Sequence, residues 1–199
     1  MRGLATALVL LALATAPGRA FDPDAVRRLL DTGQCPDCDL SGADLVVTGL
    51  EGVDLTGADL TGVWLSASVL ADAKLDLADL TGASMIGADL SGASMAGARF
   101  RDAEMSGVLL TESRLVGADL AGANLRGAEL AGADLSRADL TGANLGRALL
   151  VETRLAGAIL TGANFGGLTG LRQADLDEAC GDAVAASTLP APLVLAPCE

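Results

Sequence analysis

The sequence predicts an all-β solenoid, a parallel β-helix with four sides and about six to seven coils, carrying a short helical cap at each end. Three observations carry that prediction. From Leu40 to Phe165, 26 consecutive positions at a spacing of five hold Leu, Met or Phe. Two places before each of them stands a small residue, mostly Ala, sometimes Val, Ser or Thr, and Cys38 at the first. A seven-residue phrase also returns at an interval of 40: Val69 to Leu75, Leu109 to Leu115, Leu149 to Leu155.

A period of five fits neither common template. On an α-helix at about 100° per residue, successive Leu would step by about 140° and spiral round the cylinder without forming a stripe. In a flat strand five is odd, so each Leu would face opposite to the last. The chain must therefore turn once per repeat. Ala-Asp-Leu reads as three residues of strand, with the small residue and Leu inward and Asp outward. The Thr-Gly, Ser-Gly or Ala-Gly that follows suits a tight turn, because Gly tolerates positive φ. Eight repeats separate the echoed phrases, a whole number of coils for four sides and not for three. Stacked at about 4.8 Å per coil, the repeats make a tower of roughly 30 Å.

The phrase A(D/N)LXX, as in Ala58-Asp59-Leu60-Thr61-Gly62, Ala118-Asp119-Leu120-Ala121-Gly122 and Ala143-Asn144-Leu145, resembles the pentapeptide-repeat family over about two thirds of the chain. The resemblance implies a right-handed quadrilateral β-helix. The sequence departs from the pattern where the turn Gly is replaced, at Val47, Asp72, Leu77, Asp102, Glu112, Arg137, Arg147 and Glu152, which puts the local turn type in question.

Residues 1–20 read as a secretory signal: Arg2, then an apolar run from Leu4 to Ala16, a Pro17-Gly18 break, and small residues at Gly18 and Ala20. The run is too short for a spanning helix, which needs about 20 apolar residues. Cleavage is expected after Ala20, and with no Cys near the cut a lipid anchor is not. Residues 21–37 read as an N-terminal cap. Asp22 is a candidate N-cap with Pro23 at the first helical position, Val26, Leu29 and Leu30 recur at helical spacing, and Gly33 ends the run. Such a helix would cover the open end of the β-helix, whose unpaired backbone groups invite aggregation.

Cys35-Pro36-Asp37-Cys38 could be half a zinc site, a redox pair or a staple. The chain has no His, and Cys180 and Cys198 lie far away, which argues against zinc. The strand-helix context of a thioredoxin-like pair is absent. The two Cys flank a two-residue turn, whose ends lie within about 7 Å, and an exported protein with an even number of Cys favours a disulfide.

The β-helix is expected over residues 38–167. Stepping 20 residues reads it face by face. One column is Asp39, Asp59, Asp79, Arg99, Asp119, Asp139, where like charges one step apart repel. The next ends on Asn124, Asn144 and Asn164, whose amides can bond up the ladder. Another, Asp54, Lys74, Ser94, Arg114, Asp134, Arg154, mostly alternates in sign. The last, Gly49, Val69, Asp89, Leu109, Glu129, Leu149, places Val69, Leu109 and Leu149 where a polar residue is usual; these are a candidate interaction stripe or an echo of duplicated 40-residue units. Trp64, the only Trp, also faces outward. Met85, Met95, Phe100 and Met105 are expected to fill the bore.

After Phe165 the register is expected to break at Gly166-Gly167. Residues 168–199 read as a second cap, with a helix from Leu171 to Cys180 (Leu171, Ala174, Ala179) stopped by Gly181, and a Pro-rich tail, Leu189 to Pro197, tied back by a Cys180–Cys198 disulfide. This ending resembles that of some exported proteobacterial members of the same family.

Composition narrows function. Cleavage would take Arg2 and Arg19 away and deepen the net charge from −13 to −15, so phosphate or nucleic-acid binding is not expected. With no His, no Tyr, no nucleophile elbow and no phosphate-cradling loop, an enzyme is not expected, nor is a cofactor. The expected protein is a non-enzymatic periplasmic or secreted module that meets a protein partner in the cell envelope as a monomer. The resemblance offers a second reading, since some family members are acidic rods that mimic DNA and bind DNA gyrase. The column Asp39, Asp59, Asp79, Asp119, Asp139 is compatible with that, while the export signal and the disulfides oppose it. Decoration of that column by Ca²⁺ is a lesser idea, because a proper site needs six or more converging oxygens.

Overall fold

In a repeat with an outward Asp or Asn the backbone N–H groups find partners within the turn or on the coils either side, and that accounting explains the period. The computed structural model describes residues 21–198, so the expected signal segment and its cleavage after Ala20 lie outside the described residues. In the repeat beginning at Asp39, the Leu40 N–H donates to the Asp59 carbonyl one coil on (2.8 Å), and Gly42 N–H donates to Thr61 (2.8 Å). Ala43 N–H turns back to the Leu40 carbonyl (3.0 Å). Ser41 N–H is taken by Oδ1 of Asp39 at 3.1 Å. The outward residue's N–H reaches the coil before, as Asp59 does to Cys38 (2.8 Å). A repeat so arranged leaves no buried orphan.

Parallel bridges join residues 20 apart in four ladders, the first between Gln34 and Asp54 and the last in that register between Leu149 and Thr169. The tower is therefore four-sided. The Leu, Met and Phe of the period are buried in the bore, Met85, Met95, Phe100, Met105 and Phe165 among them, as are the small residues two places before, except the half-buried Thr48. Each large side chain contributes about 1.5–3 kcal/mol gross.

The replaced glycines do not change the turn. At every corner the second residue has positive φ, from 52° at Asp37 to 74° at Gly167. The eight replacements named above all comply, and Asp37 and Ala67 join them. What makes this tolerable is the coil above. Asp37 lies over Gly57, Asp72 over Gly92 and Asp102 over Gly122, each filling the space where a Cβ would stand, and the Leu77 Cδ2 is 3.0 Å from that point at Gly97. At these positions a bulky turn residue is matched to a bare one above it; Val47 and Glu152, with Ala67 and Arg172 20 residues on, are not so matched.

At the N-terminal end α1 (Pro23–Thr32) is capped by the Asp22 carboxylate, which accepts from Asp24 N–H, and stopped by Gly33 at φ 69°. It buries Ala25 and Leu29 against the first coil, with Phe21 and Val26 packed beside them. Leu30 does not share that face and is 41% exposed, because Ala25 and Leu29 are the pair four apart that faces the bore.

At the other end the register runs past Gly166-Gly167. Leu168 still points inward and Thr169 still bridges Leu149; the break comes at Gly170, one extra residue that shifts the next bridge to Ile159–Cys180. A Cβ on Gly170 would stand 2.8 Å from the Val151 nitrogen, and its φ is 87°. The expected helix from Leu171 to Cys180 is only α2 (Gln173–Leu176). The chain then returns to the ladder as β1 (Cys180–Gly181), forms α3 (Ala183–Thr188), and pairs β2 (Ala196–Pro197) in parallel with β1. Gly181 is thus a strand residue and not a helix stop. Leu176, Ala179, Ala185 and Leu195 close over the bore while Ala174 is exposed. Side chains replace the missing coil: Gly162 N–H donates to Asp182 Oδ1 (3.0 Å) and Phe165 N–H to Thr188 Oγ1 (3.0 Å).

Candidate functional site

The outward Asp and Asn of the repeat are structural before they are anything else. Asp54, Asp59 and Asp79 each accept both the N–H and the hydroxyl of the Thr two residues on, at 2.6–3.1 Å. The column Asp39, Asp59, Asp79, Asp119, Asp139 forms one ladder, as the spacing predicts. Repulsion within it is relieved by cations from the same or the neighbouring corner: Asp79 meets Arg99 at 3.3 Å and Asp119 meets Arg101 at 2.5 Å. Burial pushes the Asp79 carboxyl up, but bonds from Thr81 and Arg99 outweigh it and hold it below the usual carboxylate range. Asp134 behaves likewise, burial being outweighed by Ser136 and the Arg154 and Arg114 charges. Thr56 is the main cause of a lowered Asp54, which also faces Lys74 at 3.6 Å.

The amide ladder forms and extends one step further than the Asn residues themselves. Asn164 donates to Asn144 (3.1 Å), Asn144 to Asn124 (3.2 Å), and Asn124 to the Glu104 carboxylate (2.7 Å).

The four cysteines lie at the two ends. Cys35 and Cys38 are joined across the Pro36-Asp37 turn with Cα atoms 5.4 Å apart, and Cys180 is joined to Cys198 at 4.8 Å. Among the described residues no group of His, Cys, Asp and Glu is arranged to hold a metal ion.

Val69, Leu109 and Leu149 occupy one ladder at alternate coils, each half-buried, with Asp89 and Glu129 between them. An aliphatic side chain cannot accept the turn N–H that Asp takes elsewhere, so Ala71, Thr111 and Val151 lack that partner. Trp64 is 59% exposed but stands on the adjoining face, in the ladder of Asp44 and Ser84. The structure brings Trp64 together with Val69 across one corner, not with Leu109 or Leu149, which lie two and four coils further on. The sequence reading missed Val46 and Ile86 at that corner and named Val47 only as a replaced turn Gly. Their signal is present in the chain: large apolar residues at turn positions that mostly carry Ser, Thr, Ala, Gly or a charge.

A cleft of about 680 Å³ opens beside α2, lined by Glu152, Thr153, Arg154, Arg172, Asp175 and Glu178 among others. Arg172 is committed to Asp175 at 2.8 Å, Arg154 to Asp134 at 3.7 Å, and the Thr153 hydroxyl to the Leu130 carbonyl at 2.8 Å. These groups hold the end of the tower in place.

Comparison with known proteins agrees with this architecture. The pentapeptide-repeat description (Pentapeptide repeats, 8 copies) matches residues 35–72, 65–102, 73–111, 103–142 and 138–169. No curated protein matches the chain. Among solved structures, a pentapeptide repeat protein from the Arabidopsis thaliana thylakoid lumen is similar at 32% identity and a TM-score of 0.51, over 54% of this chain and 77% of that one. A trypsin-treated form of QnrB1, a plasmid-mediated fluoroquinolone resistance protein, shares the fold at 21% identity and a TM-score of 0.55, over 69% of this chain and 70% of that one.

Proposed function

Since the chain belongs to the pentapeptide-repeat family, we propose that it is a non-enzymatic, exported interaction module: a right-handed quadrilateral β-helix of about 6–7 coils, capped at both ends, that presents its flat faces to a protein partner in the cell envelope. The observation that carries this reading is the disposition of the cysteines. All four are in disulfides, one pair at each end of the tower, in the places where a solenoid would otherwise fray. Disulfides persist in oxidising compartments. The thylakoid-lumen residence of the plant relative supports the same reading. Closed ends oppose end-to-end assembly and favour a monomer. No described helix is long and apolar enough to cross a membrane.

The gyrase-binding reading is weaker on this surface. Its acidic column is interrupted by Arg99, neutralised in part by Arg101, and followed by Ile159 in the same ladder. Asp and Asn at that repeat position are explained by the turn N–H they accept.

The test is fractionation of the native cells with mass determination of the intact, non-reduced chain. A periplasmic or secreted species starting at Phe21 and four hydrogens lighter than its reduced form supports export with both disulfides made. A cytoplasmic, full-length, reduced species overturns the reading and makes a supercoiling assay with gyrase the next step.

A further inference from the structure

One corner of the tower differs from the other three. It joins the Trp64 face to the Val69 face, and its residues on successive coils are Val46-Val47, Ser66-Ala67, Ile86-Gly87 and Ser106-Gly107, with no charge before Arg126. Val47 is 74% exposed and Ile86 48%, beside the exposed Trp64.

The turn geometry does not favour Val47 at this corner. Val47 is β-branched and sits at φ 55°, a conformation that such residues avoid. Asp37, Asp72, Leu77, Asp102, Glu112, Arg137 and Arg147 each lie against a Gly in the coil above, but above Val47 stands Ala67, itself at φ 56°. The turn is also opened: Thr48 N–H donates to Ser68 Oγ (3.1 Å) and not back to Leu45.

The charges nearest this edge are acidic, and the first cation along the corner itself is Arg126, one coil beyond Ser106. Asp44 and Glu104 lie before and after Trp64 and Ser84 in one ladder, Asp89 follows Val69 in the next, and Glu51 and Asp72 hold the adjoining corner.

We propose that the edge formed by Val46, Val47, Trp64, Ala67 and Ile86 is the docking site for a segment of a partner protein that carries apolar side chains flanked by Lys or Arg. The proposal rests on the protein-contact reading above and assigns it a place and a chemistry. Apolar anchors displace water from Val47, Trp64 and Ile86, and basic flanks meet the acidic border. A second copy of this chain, at net charge −13, would set the same acidic border against itself. An anionic lipid surface is repelled for the same reason.

The experiment places a photo-crosslinking residue at Val46, at Ile86, and separately at Asn144 on the Trp64 face of a later coil, in the full chain expressed in its native cells. The expected result is crosslinking from the first two positions, to a peptide whose apolar run is flanked by Lys or Arg. Val47→Gly, which restores the usual turn residue, should reduce the Ile86 crosslink. Crosslinks from Asn144 alone, to a segment without basic flanks, or to a second copy overturn the docking proposal and leave the protein-contact reading standing. Crosslinks from none of the three overturn the proposal, and the fractionation above then decides the broader reading on its own. In vitro, Trp64 is the only Trp and reports directly. A synthetic Leu–Lys amphipathic peptide should shift its emission to the blue, a Leu–Glu peptide and anionic vesicles should not, and Val47→Gly with Ile86→Ser should weaken the Leu–Lys interaction roughly tenfold. An equal response to the Leu–Glu peptide, or an undiminished response in the double variant, also overturns it.

Discussion

The Ser68 hydroxyl donates to the carbonyl of Leu45 at 2.5 Å, reaching across to the coil before its own. The same oxygen accepts from Thr48 N–H, so one buried side chain bridges a turn that has lost its own closing bond. Ser68→Ala should therefore leave a carbonyl and an N–H unpaired. A buried group stripped of its partner costs about 1–3 kcal/mol. Urea unfolding should show the midpoint falling with the slope unchanged, and an unaltered midpoint would mean that water replaces the hydroxyl there.

Two glycines separate the conformational cost of a turn from the steric one. At Gly62, φ is 63° and nothing lies within 4 Å of an added Cβ, so Gly62→Ala should cost only the left-handed penalty of about 1–2 kcal/mol. At Gly170 the added carbon meets backbone, the Val151 nitrogen and the Leu150 carbonyl carbon at 2.8 and 3.1 Å. Gly170→Ala should be the more destabilising in the same urea assay, because backbone cannot rotate aside as a side chain can. Equal losses would show that the C-terminal segment shifts freely.

This contrast marks what the sequence makes legible. A period of five with inward Leu specifies a turning strand, and the 40-residue echo of Val69, Leu109 and Leu149 specifies four sides, because both are properties of one repeated contact. The match between a bulky turn residue and a Gly 20 positions later, as Leu77 with Gly97, is equally present and simply harder to see. The C-terminal segment is misread because its contacts do not repeat. A single extra residue at Gly170 shifts Cys180 back into the ladder, and no local pattern distinguishes that from a helix running to Gly181. The apolar corner escapes a reading by outward columns because Val46, Val47 and Ile86 occupy turn positions.

Leu109→Asn tests whether the apolar column is a cost to the fold. The amide would supply the acceptor that Thr111 N–H lacks, as Asn144 does for Gly146 at 3.1 Å. A gain of about 0.5–1.5 kcal/mol is expected, the net contribution of one hydrogen bond, partly offset by weaker apolar packing at that position. A decrease in stability would mean that the half-buried Leu109 contributes more to its ladder neighbours Asp89 and Glu129 than the bond does.

The two disulfides should differ in weight. Cys180–Cys198 spans 18 residues and Cys35–Cys38 only three. On chain entropy the longer loop contributes about 3 kcal/mol and the shorter one less. Cys180→Ser with Cys198→Ser should thus lower stability more than the Cys35/Cys38 pair of changes. It should also raise hydrogen exchange first at Gly162 and Phe165, whose donors depend on Asp182 and Thr188. Exchange that begins instead at the α1 end would place the weak point of the tower at its other terminus.

Acid should loosen the tower through carboxylates that are held ionised by their turns. Asp54, Asp79, Asp134 and Asp175 all titrate below the usual range, Asp175 chiefly through its bond to the Arg172 side chain. A folded-state pKa below the unfolded one means that folding favours the charged form. The contribution is complete above the ordinary Asp value and disappears as pH falls through the lowered ones. Stability should be flat near neutrality and decline below about pH 4, and Asp79→Asn should make that decline shallower. Because Asp79 and Arg99 are partly exposed, added salt should weaken their share. A midpoint that rises on acidification would show that relief of the overall negative charge outweighs the loss of these bonds, and that mutual repulsion in the Asp columns exceeds the stabilisation from their turn contacts.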